Sequence, residues 1–140
     1  MKRVLFVVMA CAVAVLTLTA ATGGRPLEAT LTGAAEVPNP GDPDGSGSAS
    51  VTINQGQNEV CFEITVADVD PILAAHIHAA PAGVPGGVVV NFDVATNGLS
   101  GCVAVDKDLA KDIRQSPGEY YVNVHNAAFP GGALRGQLEK

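Results

Sequence analysis

The sequence predicts an all-β domain: an antiparallel, Greek-key-like sandwich or barrel of about eight short strands with one short helix. Three observations carry this. Short segments of alternating or Val/Ile-rich character recur along the chain, separated by turn residues. Sixteen Gly and nine Pro supply the turns without reaching the level of low complexity. With no Trp, four Phe and two Tyr, the core must be built from Val, Ile, Leu and Ala. A length of 140 residues fits one domain with a processed end.

The end to be processed is residues 1–21. Lys2 and Arg3 form a positive start, Val4 to Leu18 is almost unbroken apolar sequence, and Ala20 and Ala21 offer a small-residue cleavage site. This is the pattern of a secretory signal peptide. The apolar run is about 15 residues, shorter than the roughly 20 needed to span a bilayer, so no span is expected once the leader is cleaved. A retained anchor and lipidation at Cys11 are the alternatives. The expected location is secreted, periplasmic or cell-envelope. Residues 22–26 form a short flexible lead-in, and the domain occupies 27–140.

Leu27 to Val37 reads as the first strand, and Pro38 to Ser48 (PNPGDPDGSGS) as a loop. Ala49–Asn54 and Glu59–Val66 read as a hairpin around Gln55-Gly-Gln-Asn58. In its second arm Val60, Phe62, Ile64 and Val66 share one face, with Cys61, Glu63 and Thr65 on the other. Ala74–Ala79 is the next strand, followed by Gly87–Asp93 and Leu99–Val105. Asp106–Gln115 is the helix: Asp106 can cap it, and Leu109 and Ile113 lie four apart. Ser116-Pro-Gly ends it. Tyr120–Asn126 and Ala133–Leu138 complete the set. Of the two tyrosines, one ring is expected in the core and the other outside.

Charge narrows the function. The formal balance is −6. Without Lys2 and Arg3, six cations face fourteen acids, a balance of −8. No basic cluster offsets it, so nucleic-acid binding is excluded. The sequence has no GxSxG elbow, phosphate loop or dinucleotide fingerprint, so nothing marks a hydrolase or nucleotide enzyme. Asp42-Pro-Asp44-Gly-Ser-Gly resembles part of a calcium loop but lacks the later ligands and the closing Glu, and reads as a plain turn. Beyond the leader two cysteines remain, Cys61 and Cys102. In an exported domain they are expected to form a disulfide closing a loop of about 40 residues. A thiolate metal site or redox pair is the alternative, without CxxC spacing to support it.

The residues with most chemical content are His76, His78 and His125, the chain's three histidines. His76 and His78 sit at i and i+2, on one face of a strand and about 6–7 Å apart. His125 lies in another strand, and a fold that places the two strands side by side would complete a three-nitrogen set suited to copper, with zinc second. The other reading is an exposed polar face alternating with buried Ile77. Met1 and Met9 both fall in the leader, so a blue-copper carrier, which needs Cys and usually Met, is disfavoured. An internal echo links the candidates: His78-Ala-Ala precedes Pro85-Gly86-Gly87 and a strand, and His125-Asn-Ala-Ala precedes Pro130-Gly131-Gly132 and a strand. Arg135 could attract an anion near the histidines or pair with a buried carboxylate.

The runs Leu31-Thr-Gly-Ala-Ala-Glu36-Val-Pro38, Ala74-Ala-His76-Ile-His78, Tyr121-Val-Asn123-Val-His125 and Pro130-Gly-Gly-Ala-Leu-Arg135-Gly-Gln137-Leu together resemble the CHRD domain, over about residues 27–140. The resemblance implies an extracytoplasmic β-sandwich and does not define its biochemical role; the role expected here is that of a non-enzymatic binding module for an extracellular protein or envelope component. It does not imply the growth-factor antagonism of chordin, whose cysteine-rich modules are absent here. A more distant resemblance is to copper–zinc superoxide dismutase. It implies that His76, His78 and His125 correspond to copper ligands and Arg135 to an anion-guiding arginine; Asn123 is, independently of that likeness, a candidate supporting residue beside Arg135. The zinc-ligand loop and bridging histidine of that family have no counterpart, so an activity of this kind would be copper-only. A structural or adhesive domain without metal is the remaining alternative.

Overall fold

The computed structural model describes Gly24 and residues 26–140; the expected leader and most of the lead-in lie outside the described residues. Eight strands form one antiparallel sheet: β1 (Leu27–Thr32), β2 (Ser46–Asn54), β3 (Glu59–Ala67), β4 (Ala74–Ala79), β5 (Gly87–Asn91), β6 (Ser100–Ala104), β7 (Tyr120–His125) and β8 (Leu134–Gln137). Their order across the sheet is β5-β4-β7-β8-β1-β2-β3-β6. Helix α1 (Val94–Asn97) lies between β5 and β6, and α2 (Lys107–Gln115) between β6 and β7.

The sheet curls into a nearly closed barrel. The inward face follows from period-two alternation: Leu27, Ala29 and Leu31 of β1, Val51 and Ile53 of β2, and Val60, Phe62 and Ile64 of β3 are all buried. Ala75 and Ile77 of β4 meet Val122 and Val124 of β7 in the same core. Ile113 and Ala110 of α2 are buried in the same core. The seam between the edges β5 and β6 is closed by the segment joining them. Phe92 N–H donates to the Ala75 carbonyl (3.1 Å) and Ile64 N–H donates to the Leu99 carbonyl (2.8 Å). The Phe62 and Phe92 rings stack across the seam, centroids 4.1 Å apart.

The expected hairpin, helix and Asp106 cap are present; the Asp106 carboxylate accepts from the N–H groups of Asp108 and Leu109. The first strand is shorter than expected. It ends at Thr32, and Gly33–Ala35 form a 3-10 turn. At Gly33 the backbone of Asp42 crosses so closely that a Cβ would lie 1.9 Å from its carbonyl oxygen, so the chain turns back there. The end of the loop read as Pro38–Ser48 belongs to β2, which starts at Ser46 and pairs with Thr32. Helix α1 was not expected; its four residues have no apolar period to reveal it. The Asp42 motif is a local turn, its Oδ1 accepting from Asp44 and Gly45 N–H groups (both 3.1 Å).

Cys61 and Cys102 face each other on β3 and β6 and form a disulfide across 41 residues. It ties the edge strand β6 to its neighbour.

Candidate metal centre

β4 and β7, separated by 40 residues of sequence, are neighbours in the sheet. Ala74 pairs with His125, His76 with Asn123 and His78 with Tyr121. Because Ala75, Ile77, Val122 and Val124 point into the barrel, His76, His78 and His125 all fall on its outer face. One ring nitrogen from each lies within 4.8 Å of the others. The three sequence-predicted donors therefore meet at one point.

The hydrogen bonds around them set the tautomers. His78 Nδ1 lies 2.9 Å from the Gly86 carbonyl and His125 Nδ1 lies 3.0 Å from the Pro130 carbonyl. A carbonyl only accepts, so each Nδ1 carries the proton and each Nε2 keeps its lone pair. The echo seen in the sequence is thus one structural device used twice. In each copy the chain leaves the histidine, turns, and returns a backbone carbonyl from Pro-Gly-Gly to the ring. Gly86 is required for this approach, since a Cβ there would lie 2.3 Å from the Ala79 carbonyl oxygen. His78 Nε2 is buried without a hydrogen-bond partner. His125 Nε2 accepts a hydrogen bond from His76 Nδ1 (3.2 Å), so the His76 proton sits on Nδ1 here and must move to Nε2 before Nδ1 can hold an ion. Two nitrogens on one ion at about 2.0–2.1 Å with a tetrahedral angle stand roughly 3.3 Å apart, so this spacing already matches a shared ion.

Electrostatics keep the rings neutral. Burial, then the neighbouring His125 and His78, push His76 down to about 4. Burial also lowers His78 and His125, against the raising effect of their carbonyl partners. Neutral imidazoles with free lone pairs are the form that binds a metal.

Arg135 and Asn123 stand behind the histidines. Asn123 pairs with Arg135 across β7 and β8, and both are buried. Asn123 Nδ2 donates to the buried Glu36 carboxyl. Burial lifts Glu36 to about 7, against the lowering effect of Arg135 and Asn123. Arg135 makes no hydrogen bond to the histidines, although its charge helps to lower the pKa of His78. Its guanidinium lies 3.4 Å from the centre of the Tyr121 ring, and Nη2 donates to the Pro81 carbonyl (3.0 Å). The Tyr121 ring also stacks on His78, centroids 4.8 Å apart and nearly parallel.

Tyr121 is therefore the more buried tyrosine, yet it sits on the outer face under the loops and not in the barrel core. Its hydroxyl accepts from Gly86 N–H (3.1 Å). Sequence reasoning gave no role to Tyr121, Glu36, Gly86 or Pro130. Period two from His125 through Asn123 to Tyr121 was the available signal for the first. The other three depend on contacts between loops and strands.

The second group of ligand-type atoms among the described residues is Glu59 with Cys61 and Cys102, whose sulfurs are committed to the disulfide. No characterised protein and no solved structure gives a significant match to the chain. The family model of the CHRD domain matches residues 27–138, from the first core residue of β1 to Leu138 beyond β8. That span takes in the whole barrel and all three histidines, and the chain belongs to the CHRD domain family.

Proposed function

We propose that this CHRD domain is an exported, non-enzymatic binding module that holds one mononuclear metal ion on His76, His78 and His125, copper in first place and zinc in second. The observation that supports the ion most directly is the pair of lone pairs left at His78 Nε2 and His125 Nε2 by their carbonyl-bonded Nδ1–H groups. His76 Nδ1, 3.2 Å from His125 Nε2, completes the set. A buried acceptor without a donor is unfavourable by about 1–3 kcal/mol, and His78 Nε2 is one; a bound cation relieves it. Three imidazoles and no thiolate favour copper and zinc over softer-site ions, and copper leads on intrinsic affinity. Export rests on the leader-like start and on the disulfide, which suits an oxidising compartment. The partner would be an extracellular or envelope protein.

Titration of Cu(II) into the metal-free protein tests the site. Expected is one equivalent bound with Kd below about 1 μM, and at least about tenfold weaker binding in His76→Ala and His125→Ala. Weaker than micromolar binding by the wild type, or unchanged binding in both variants, overturns the reading.

A copper-only redox centre is the second reading, favoured by the partial exposure of all three rings. Superoxide turnover by the copper-loaded protein no faster than that of unrelated copper-binding controls dismisses it. A metal-free adhesive role would use the exposed Leu73, Val84 and Val88 instead, and binding of copper below micromolar argues against it.

A further inference from the structure

Away from the histidines, Cys61, Cys102 and Glu59 each bring one ligand-type atom within 4.8 Å of the others. Strand pairing builds this cluster. Cys61 of β3 lies directly opposite Cys102 of β6, with Cα atoms 4.0 Å apart. Glu59 stands two residues before Cys61, so its side chain shares the outer face with the sulfur. One Glu59 carboxylate oxygen lies 3.3 Å from Cys61 Sγ. From β2, Asn54 Nδ2 donates to that oxygen (3.3 Å) and toward the sulfur (3.4 Å). Cys102 is exposed, so a reagent in solution can reach the disulfide.

Reduction changes what the cluster can do. A dithiol supplies two electrons and two protons. One of its thiolates attacks Cys102 Sγ, the S–S bond breaks and Cys61 leaves as a thiolate; the second thiol then resolves the mixed disulfide and releases Cys102. The dithiol ends as its own disulfide, and the protein carries two thiols side by side on paired strands. β2, β3 and β6 contain no Lys or Arg, while Glu59 and Glu63 both sit on this face of β3. Two thiolates beside a carboxylate repel one another, and a divalent cation is the species that offsets their charge. The spacing suits zinc. A sulfur and a carboxylate oxygen on one tetrahedral zinc stand roughly 3.6 Å apart, and two sulfurs roughly 3.8 Å. The 3.3 Å between Glu59 and Cys61 is close to the first value. The Cβ atoms of a disulfide pair stand about 3.8 Å apart, so rotation of the side chains alone brings the freed sulfurs to the second.

We propose that Cys61, Cys102 and Glu59 form a second, redox-gated metal site, closed in the disulfide form and open to zinc once a dithiol reductant has cleaved the bond. The two thiol protons leave as the ion binds. The site does not depend on the histidine reading, because it lies on β3 and β6 and binds through sulfur.

The test reduces the whole protein with a dithiol, removes the dithiol by gel filtration under argon, and titrates Co(II) as the spectroscopic stand-in for zinc. Thiolate-to-cobalt charge transfer absorbs in the near ultraviolet and imidazole ligands do not produce it, so the signal separates this site from the histidines. Expected is a saturable band with Kd on the order of 10 μM, absent from the oxidised protein and bleached by added zinc. Cys102→Ser should lose about half or more of the band, as one of two sulfur ligands is gone. Glu59→Gln keeps both sulfurs and should weaken cobalt binding by about tenfold, which keeps the test decisive if Cys102→Ser does not fold. No band in the reduced protein, a band of equal affinity in urea, loss of the far-ultraviolet circular dichroism of the fold on reduction, or an unchanged Kd in Glu59→Gln overturns the proposal.

Discussion

Replacing Glu36 by Gln should change how stability depends on pH. The carboxyl is 5% exposed, held by Asn123 Nδ2, and its pKa rises from 4.5 to about 7. A raised folded-state pKa means the folded protein binds the proton more tightly than the unfolded chain. The Glu36 contribution to stability is therefore fully present below pH 4.5, declines as pH rises, and is lost above about 7. At about 1.4 kcal/mol per pH unit the whole displacement is worth at most roughly 3.5 kcal/mol. His76 acts with the opposite sign. Its pKa is lowered from 6.5 to about 4, so its contribution is present above 6.5 and lost as pH falls toward 4. The two windows overlap, and their slopes oppose each other in the wild type. Gln keeps an oxygen for Asn123 and cannot ionise. Its stability minus that of the wild type should therefore rise by about 1–3 kcal/mol between pH 4.5 and pH 8. Urea unfolding followed by far-ultraviolet circular dichroism, in chelator-containing buffers at several pH values, measures this. A difference constant to within about 0.5 kcal/mol across that range would refute the burial account of Glu36, since measurements at one site resolve changes of that size.

Other outcomes follow from single contacts. Gly86→Ala brings a Cβ to 2.3 Å from the Ala79 carbonyl oxygen, so the loop must move. It should lose about 1–3 kcal/mol of stability and weaken copper binding, because the carbonyl that orients His78 shifts; unchanged copper affinity by calorimetry would speak against that role. Gly132→Ala places a Cβ 2.5 Å from the Glu36 carboxyl, at a φ of +145°. It should displace Glu36, and the pH dependence assigned to Glu36 should shrink with it. Reducing the Cys61–Cys102 disulfide, which spans 41 residues, should lower stability by about 2–4 kcal/mol, seen as a lower urea midpoint without precipitation. Phe92→Ala removes the ring that stacks on Phe62 at the barrel seam. About 3–5 kcal/mol should be lost, with hydrogen exchange accelerated first at the Phe92 and Ile64 amides.

Much of the local structure could be read from residue order. The alternation of Val60, Phe62 and Ile64 with Cys61, Glu63 and Thr65 describes β3 as observed. Asp106 caps α2 through its own side chain. Where a distant segment intervened, local reading failed. Leu27 to Val37 has strand-like character throughout, but Asp42 crosses Gly33 and turns the chain after Thr32. Tyr121 and Arg135 alternate as outward residues should, yet they are buried, because the loops after β4 and β7 and the turn carrying Glu36 fold over that face.

The sequence by itself determined that His76 and His78 share a face, because side chains two apart in a strand always do. It determined the barrel's apolar lining for the same reason. Only the tertiary structure decided that His125 joins them. Strand order depends on packing between segments far apart in the chain, and β4 takes β7 as a neighbour across 40 intervening residues. The tertiary structure also turned two Pro-Gly-Gly loops into the carbonyl partners that free two Nε2 lone pairs. Such bonds are made by backbone atoms, which every residue carries, so side-chain identity does not reveal which carbonyl will come within reach.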